Sequence, residues 1–310
     1  MATWQQKLQN AHGAYAWAAG FDDSTWQAFV ASLAAYLEPR GRPVKVQPVG
    51  VSTTRSDGPL VDLGLHSLSE RCLRAPRAAW PTLISEHLAD RLAPPDLPAG
   101  LDCRDFERVR ARLKMRLCAP ADLAARGDLP VVRLDPAPGL AAVLTYDLPE
   151  GPCDVPPADY EGWGHPEASL YAVALANLRQ EGDLDLAQRD LPSGARMQML
   201  RADSPFVSAQ LLVVERLVGG PSPYGTLACV PKTDLLLFHR IVDDRVRKAA
   251  EELGKLATML HQRGPSPLSP CVYWVRRGAI KHLPMDVTSH GVVFKPAPGF
   301  TARVLDPLDA

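Results

Sequence analysis

The chain has 310 residues, with 34 lysines and arginines against 35 aspartates and glutamates and 46% hydrophobic residues. That is enough for one large domain or two ordinary ones, and a formal charge of −1 argues against a protein whose main affinity is for a phosphate backbone. No apolar run approaches the ~20 residues that cross a bilayer, and the opening MATWQQKLQNAHGAYAWAAG lacks the order of a secretory signal, so neither a membrane nor export is expected.

Along the chain, Trp4, Leu8, Ala11, Tyr15 and Ala18 recur at the spacing of one helix face. Asp22, Asp23 or Ser24 can cap a second helix, Thr25–Leu37, striped by Trp26, Phe29, Val30, Leu33 and Leu37. Aromatic residues at helical spacing usually bury themselves, although this pair of helices could also offer its rings to another protein. Val44–Val51 reads as a strand, Ser56-Asp57-Gly58-Pro59 as a turn and Leu60–Leu65 as the returning strand. A short helix starts at Ser67 or Ser69, and Thr82–Leu92 follows Pro81 as another. Ala93–Gly100, with three prolines, reads as a stiff linker.

Beyond it, Phe106–Ala111 is a helix end or connector, and Arg112–Cys118 alternates charged and apolar residues as a half-exposed strand does. Val131–Leu134 and Leu140–Tyr146 are further strands, and Pro149–Pro157 is a proline-rich break. Glu167–Arg179 is a helix striped by Leu170, Val173, Ala174, Asn177 and Leu178. Met197–Arg201 is read as a strand, Ser208–Val218 as a helix, Leu227–Pro231 as a strand, Asp234–Ile241 as a short helix and Asp243–Gln262 as the longest helix. Cys271–Val275 and Ala279–Leu283 form a hairpin around Arg276-Arg277-Gly278. Val292–Lys295 and Ala302–Leu305 finish the chain, and no internal repeat stands out.

Strong chemical signatures are missing. There is no glycine-rich phosphate loop, no Gly-x-Gly-x-x-Gly after a strand, no Gly-x-Ser-x-Gly and no His-Glu-x-x-His. The six cysteines, at 72, 103, 118, 153, 229 and 271, never sit two to four residues apart, so the zinc knuckle is missing and the scatter suits reduced thiols in a cytoplasm. No metal and no cofactor are expected.

Weaker constellations remain. Pro231-Lys232-Thr233-Asp234 reads as a strand-to-helix junction with free N–H groups for a ligand, though Thr233 or Asp234 capping the helix is the favoured reading. Asp147 leaves a strand end beside Tyr146, facing a cleft or beginning a turn. His165, in Trp163-Gly164-His165-Pro166-Glu167, is either a base near a helix start or an exposed loop histidine. Asn177, on an inner stripe, is expected to tie down a neighbouring loop.

The run Trp163-Gly164-His165-Pro166-Glu167, then Ala174-Leu175-Ala176-Asn177-Leu178, Asp203-Ser204-Pro205-Phe206-Val207-Ser208-Ala209 and Gly225 to Leu236, resembles the YtpQ-like family of bacterial proteins. The resemblance covers mainly residues 106–285, and Lys232-Thr233 departs from the Ser-Arg type of sequence expected before the aspartate. It implies a cytoplasmic α/β fold and brings no activity, because the family is itself of unknown function.

The expected architecture is α+β, a mixed or antiparallel sheet covered by helices, with a helical region carrying a β-hairpin over 1–93 and an α+β domain over 101–310. The expected role is that of a non-enzymatic binding or accessory protein. A protein partner is expected through the N-terminal aromatic helices, and a ligand or partner near Asp147, His165, Asp203, Lys232 and Asp234. The alternative is a hydrolase or transferase acting on a small polar substrate, with those same side chains converging.

Overall fold

Two compact units divide the chain, Met1–Leu101 with Ala124–Gly127 and Leu148–Glu150, and the remainder. A computed structural model describes residues 3–10, 12, 18, 20–41, 43–47, 50–54, 60–92, 103–125, 131–148, 151–182, 184–202, 204–263, 266–288 and 291–309. The expected linker (93–100), the turn at 56–59, Ala11, Tyr15 and Asp203 lie outside the described residues. The described chain is α+β, its N-terminal region is helical, and every strand pairing whose register is described is antiparallel.

The first unit begins with α1 (Trp4–Asn10) and α2 (Asp23–Leu37), followed by β1 (Val44–Gln47), β2 (Gly50–Thr54), β3 (Leu60–Gly64), α3 (His66–Leu73) and α4 (Trp80–Leu92). Asp22 caps α2, its Oδ1 accepting from Thr25 N at 2.7 Å and from the hydroxyls of Thr25 and Ser24. These bonds favour the charged carboxylate and hold its pKa down to about 2. The stripe Trp26, Phe29, Val30, Leu33 and Leu37 is buried to 2% exposure or less. Phe21 and Trp80 close on it, with Phe29 lying 5.0 Å from Phe21 and 6.2 Å from Trp80, centroid to centroid. Among the described rings of α1 and α2, Trp26 and Phe29 are therefore core and Trp4 is half-buried against them, while Tyr15 and Trp17 lie outside the described residues.

A single strand over 44–51 is not what forms. The chain reverses between Gln47 and Gly50, so that β1 pairs with β2 and β2 with β3. Its apolar residues change parity there, from Val44 and Val46 to Val49 and Val51. Side chains alternate faces along a strand, so one straight strand would have placed them on opposite sides.

The second unit contains α5 (Phe106–Val109), β4 (Leu113–Cys118), α6 (Pro120–Ala125), β5 (Arg133–Ala137), β6 (Leu140–Leu148), β7 (Gly151–Asp154), α7 (Pro157–Trp163) and α8 (Glu167–Arg179). The central strand β6 lies between β4 and β5 and also pairs with β7, and it is buried along nearly its whole length. The expected break at 149–157 thus holds a strand. On α8, Leu170, Ala174 and Leu178 are fully buried, and Asn177 Nδ2 donates to the carbonyls of Arg110 (2.7 Å) and Leu113 (2.8 Å). Asn177 ties down the start of β4, as its position on the inner stripe suggests.

The remaining elements are β8 (Asp185–Asp190), β9 (Arg196–Arg201), a 3-10 helix (Ser208–Arg216), β10 (Thr226–Lys232), β11 (Leu235–Arg240), α9 (Val246–Arg263), β12 (Val272–Arg276), β13 (Ala279–Leu283), β14 (Met285–Thr288), β15 (Gly291–Phe294), α10 (Pro298–Phe300), a π-helical turn and α11 (Asp306–Asp309). Six of the strands form a sheet in the order β13-β12-β10-β11-β9-β8. Val246, Ala249, Ala250, Leu253 and Ala257 of α9 recur at helical spacing and are fully buried against Leu227, Cys229, Leu237, Val272 and Trp274. Each large side chain so buried contributes roughly 1.5–3 kcal/mol. The 3-10 helix packs on β10, β11 and β12. The expected hairpin at 276–278 forms, with φ of 52° at Arg277 and 74° at Gly278, the mirror-image turn that matches strand twist.

Residues 234–241 do not form the expected helix. Leu235–Arg240 is strand β11, paired with β10 from Thr226↔Arg240 to Lys232↔Leu235. A short unbroken apolar run fits a buried helix or a strand buried on both faces, and β11 is the latter, with Leu235 to His239 all buried. The helix expected at Ser208–Val218 is 3-10, kinked at Val213 (φ −131°, ψ 21°). Its first N–H, that of Ser208, bonds the carbonyl of Thr233 at 3.1 Å.

Candidate functional site

Lys114 and Thr145 are directly opposed in the β4–β6 ladder. Asp147, two residues farther along β6, lies on the same face, within reach of a long side chain on the diagonal. Lys114 Nζ bonds Asp147 Oδ2 at 2.7 Å and also pairs with the Glu181 carboxylate beyond the end of α8. Glu181 in turn accepts from Ser204 Oγ at 2.8 Å, and the ammonium of Lys114 lies 4.9 Å from the centre of the Phe206 ring. Burial alone would lower the Lys114 pKa, but the hydrogen bonds and charges of Asp147 and Glu181 outweigh it and hold the group above the ordinary lysine value.

The cluster continues at the C-terminus of α8. Arg216 Nη1 donates to the carbonyl of Arg179 at 2.7 Å, while Nη2 bonds Gln210 Oε1 (2.9 Å) and the carbonyl of Glu181 (3.3 Å). Gln210 Nε2 donates to the carbonyl of Leu178. The last carbonyls of a helix have no partner within it and carry the negative end of its dipole, so a cation and an amide there satisfy both needs. The group is a polar bolt joining β4, β6, α8 and the 3-10 helix.

Of the five residues singled out in the sequence, Asp147 is in this bolt and Asp203 lies outside the described residues. Lys232 ends β10 and Asp234 lies in the two-residue hairpin loop, Thr233-Asp234, that follows it, and not at a helix start. The free N–H groups expected of a strand-to-helix junction are therefore absent from that corner, and neither Thr233 nor Asp234 caps a helix. The loop is held through its main chain: Ser208 N donates to Thr233 O, and Thr233 N donates to Ser266 O at 3.2 Å. Asp234 is exposed and Lys232 is half-buried. The segment Ser204–Ser208 thus touches the bolt at one end and the hairpin loop at the other. Among the described residues, no hydrogen bond or ion pair joins the side chains of Lys232, Asp234 or His165 to the bolt.

His165 is exposed and its ring packs on Phe106, with centroids 4.2 Å apart. Phe106 also lies against Trp163, whose indole N–H donates to the carbonyl of Cys103 at 2.8 Å. Nearby, the Tyr146 hydroxyl donates to Asp159 Oδ2 at 2.9 Å, and burial raises its pKa. The exposed histidine lies over an aromatic corner, two residues ahead of α8. Among the described residues, no group of three or more histidine, cysteine, aspartate or glutamate side chains is placed to hold a metal, and no helix is long and apolar enough to cross a membrane.

One element that sequence reasoning passed over, besides β7, α7 and β14, is β8. It closes one edge of the six-stranded sheet, pairs with β9 through six consecutive residues without a bulge, and is exposed everywhere except at half-buried Ala187. The string Asp-Leu-Ala-Gln-Arg-Asp has no apolar alternation to reveal a strand. The readable signal was the Leu-Pro-Ser-Gly turn at 191–194 ahead of Met197. Compared with known families, curated proteins and solved structures, the chain matches none.

Proposed function

We propose that the protein works by holding a protein partner along the outer edge of β8, and not by catalysing a reaction. The observation that carries this reading is the strand itself: six residues without bulge or proline, at a sheet edge and exposed on both faces. The outward N–H and C=O groups of an edge strand are a template for a further strand, and strand addition is a recurrent mode of protein recognition. The polar residues that do converge support the same reading, since Lys114, Asp147 and Glu181 are engaged with one another. Cytoplasmic residence and the kinship with YtpQ-like proteins belong to this proposal as well.

A photo-crosslinking residue placed at Leu186, which is 39% exposed on β8, tests it in the cells that make the protein. A crosslink to a protein is expected there, stronger than from Met259 on α9, which is 40% exposed. It should be lost when Gln188→Pro removes an edge N–H and disturbs the ladder. Equal crosslinking from both positions, or none from Leu186, would refute the reading.

A further inference from the structure

We infer that the occupant of the β8 edge is β8 of a second copy, paired antiparallel about a two-fold axis through Ala187. The inference rests on the edge-binding reading above and names its partner. A two-fold axis perpendicular to a sheet keeps every side chain on its own face, and directly opposed residues of a ladder share a face. Only registers centred on a residue are therefore allowed.

Three such registers overlap well. Centred on Leu186, the strands oppose Asp185 to Ala187 and Leu184 to Gln188. Centred on Gln188, they oppose Leu186 to Asp190 and Ala187 to Arg189, setting charges against apolar groups. Centred on Ala187, they oppose Asp185 to Arg189 twice, once on each side of the axis, and Leu186 to Gln188, with Leu184, just outside β8, opposite Asp190. Within β8 itself, Asp185–Asp190, the last register alone sets opposite charges against each other, and it opposes no like charges. Ala187, Asp185 and Arg189 share one face, so the small methyl side chains meet at the axis, where opposed Cβ atoms come within about 4.5–5.5 Å.

The same charges explain selectivity. Charged residues on an edge strand usually repel stray strands. Here Asp185 and Arg189 exclude an apolar intruder and welcome their own sequence reversed, which is how charge patterns set partner choice. Two six-stranded sheets would join into one across an isologous contact.

Sedimentation across a dilution series, with oxidation of an Ala187→Cys variant, tests the pairing. A reversible dimer is expected, weakened by salt, and Arg189→Glu should weaken it by about tenfold or more, because two attractions become two repulsions. The swap Asp185→Arg with Arg189→Asp should restore it. Ala187→Cys should yield a disulfide-linked dimer that neither the wild type nor Leu184→Cys forms. These side chains lie at an exposed edge, so thermal melts should match the wild type, and the rescuing swap guards against a folding artefact. A wild type that stays monomeric, or a dimer indifferent to both charge changes, would overturn the inference. Were the monomer still to crosslink to another protein through Leu186, edge binding would stand and self-pairing alone would fall.

Discussion

The ammonium of Lys114 sits 2.7 Å from the carboxylate of Asp147, joining the second residue of β4 to the penultimate residue of β6. Lys114 and its other partner, Glu181, are each 12% exposed, whereas Asp147 is 37% exposed. An ion pair in this setting adds little over a well-packed apolar pair, yet removing one member leaves the others uncompensated. Lys114→Met is accordingly expected to cost about 3 kcal/mol by urea unfolding. Asp147→Asn should cost about 1 kcal/mol, because its carboxylate is the more solvated and the Lys114–Glu181 pair survives. The double variant should be less destabilised than the sum of the two. Strict additivity would show that the bolt is not a unit.

His239 sets a pH dependence. It lies on β11 at 2% exposure, its Nδ1 bonded to the carbonyl of Arg196 at 2.7 Å and its Nε2 buried without a partner. Burial lowers its pKa from 6.5, outweighing the hydrogen bond to the Arg196 carbonyl and the Asp243 charge that act upward. The unfolded chain therefore takes up a proton at higher pH than the folded one. The contribution is complete above about pH 6.5 and is lost as pH falls from there toward the folded value. Burial shifts His261 and His282 in the same direction, so His239→Gln should flatten only part of the decline in urea midpoint between about pH 7.5 and about pH 5.5. An unchanged decline would remove His239 from the account.

Gly225, ahead of β10, has φ +86°, and a Cβ there would lie 2.5 Å from the carbonyl oxygen of Val275 and 2.7 Å from Trp274 Nε1. The indole N–H is already fixed by its bond to the carbonyl of Tyr224 at 2.8 Å. Neither backbone nor ring can yield cheaply, so Gly225→Ala is expected to lose about 2–4 kcal/mol. Gly278→Ala offers the comparison: its φ is +74° but nothing lies within 4 Å of the added carbon. It should lose only the conformational part, about 1 kcal/mol. Equal losses at the two sites would show that the close approach at Gly225 carries no weight.

What the sequence discloses depends on whether a pattern is carried by one segment. The stripe of α2, the inner face of α8 with Asn177, the alternation of β4 and the turn at Arg277-Gly278 each satisfy a local rule, and each forms where it is expected. β11 has no such rule, because a strand buried on both faces erases its own period and Leu-Leu-Leu-Phe-His suits either state. That one ambiguity turned Lys232 and Asp234 into the corner of an imagined helix. Lys114 shows the other limit. Its charge looked like the solvated side of a half-exposed strand, and only the register with β6 and the path of the chain after α8 bring Asp147 and Glu181 to it. β8 is legible only through its partner, since it is a strand because β9 is one.

Phe29 separates a core role from a docking role for the N-terminal aromatic residues. Its ring is fully buried, stacked 5.9 Å from Trp26 and set edge-on 6.2 Å from Trp80. Had this face served a partner, truncation would leave the isolated chain's stability almost untouched and weaken only association. Buried among rings that cannot collapse into the space, Phe29→Ala should instead cost about 3–5 kcal/mol. Tryptophan fluorescence during urea unfolding reads this directly, because Trp26 and Trp80 border the cavity. A conservative Phe29→Leu should recover most of the loss, since it restores apolar volume but not ring contacts. A midpoint unmoved by Phe29→Ala would return these helices to the list of binding surfaces.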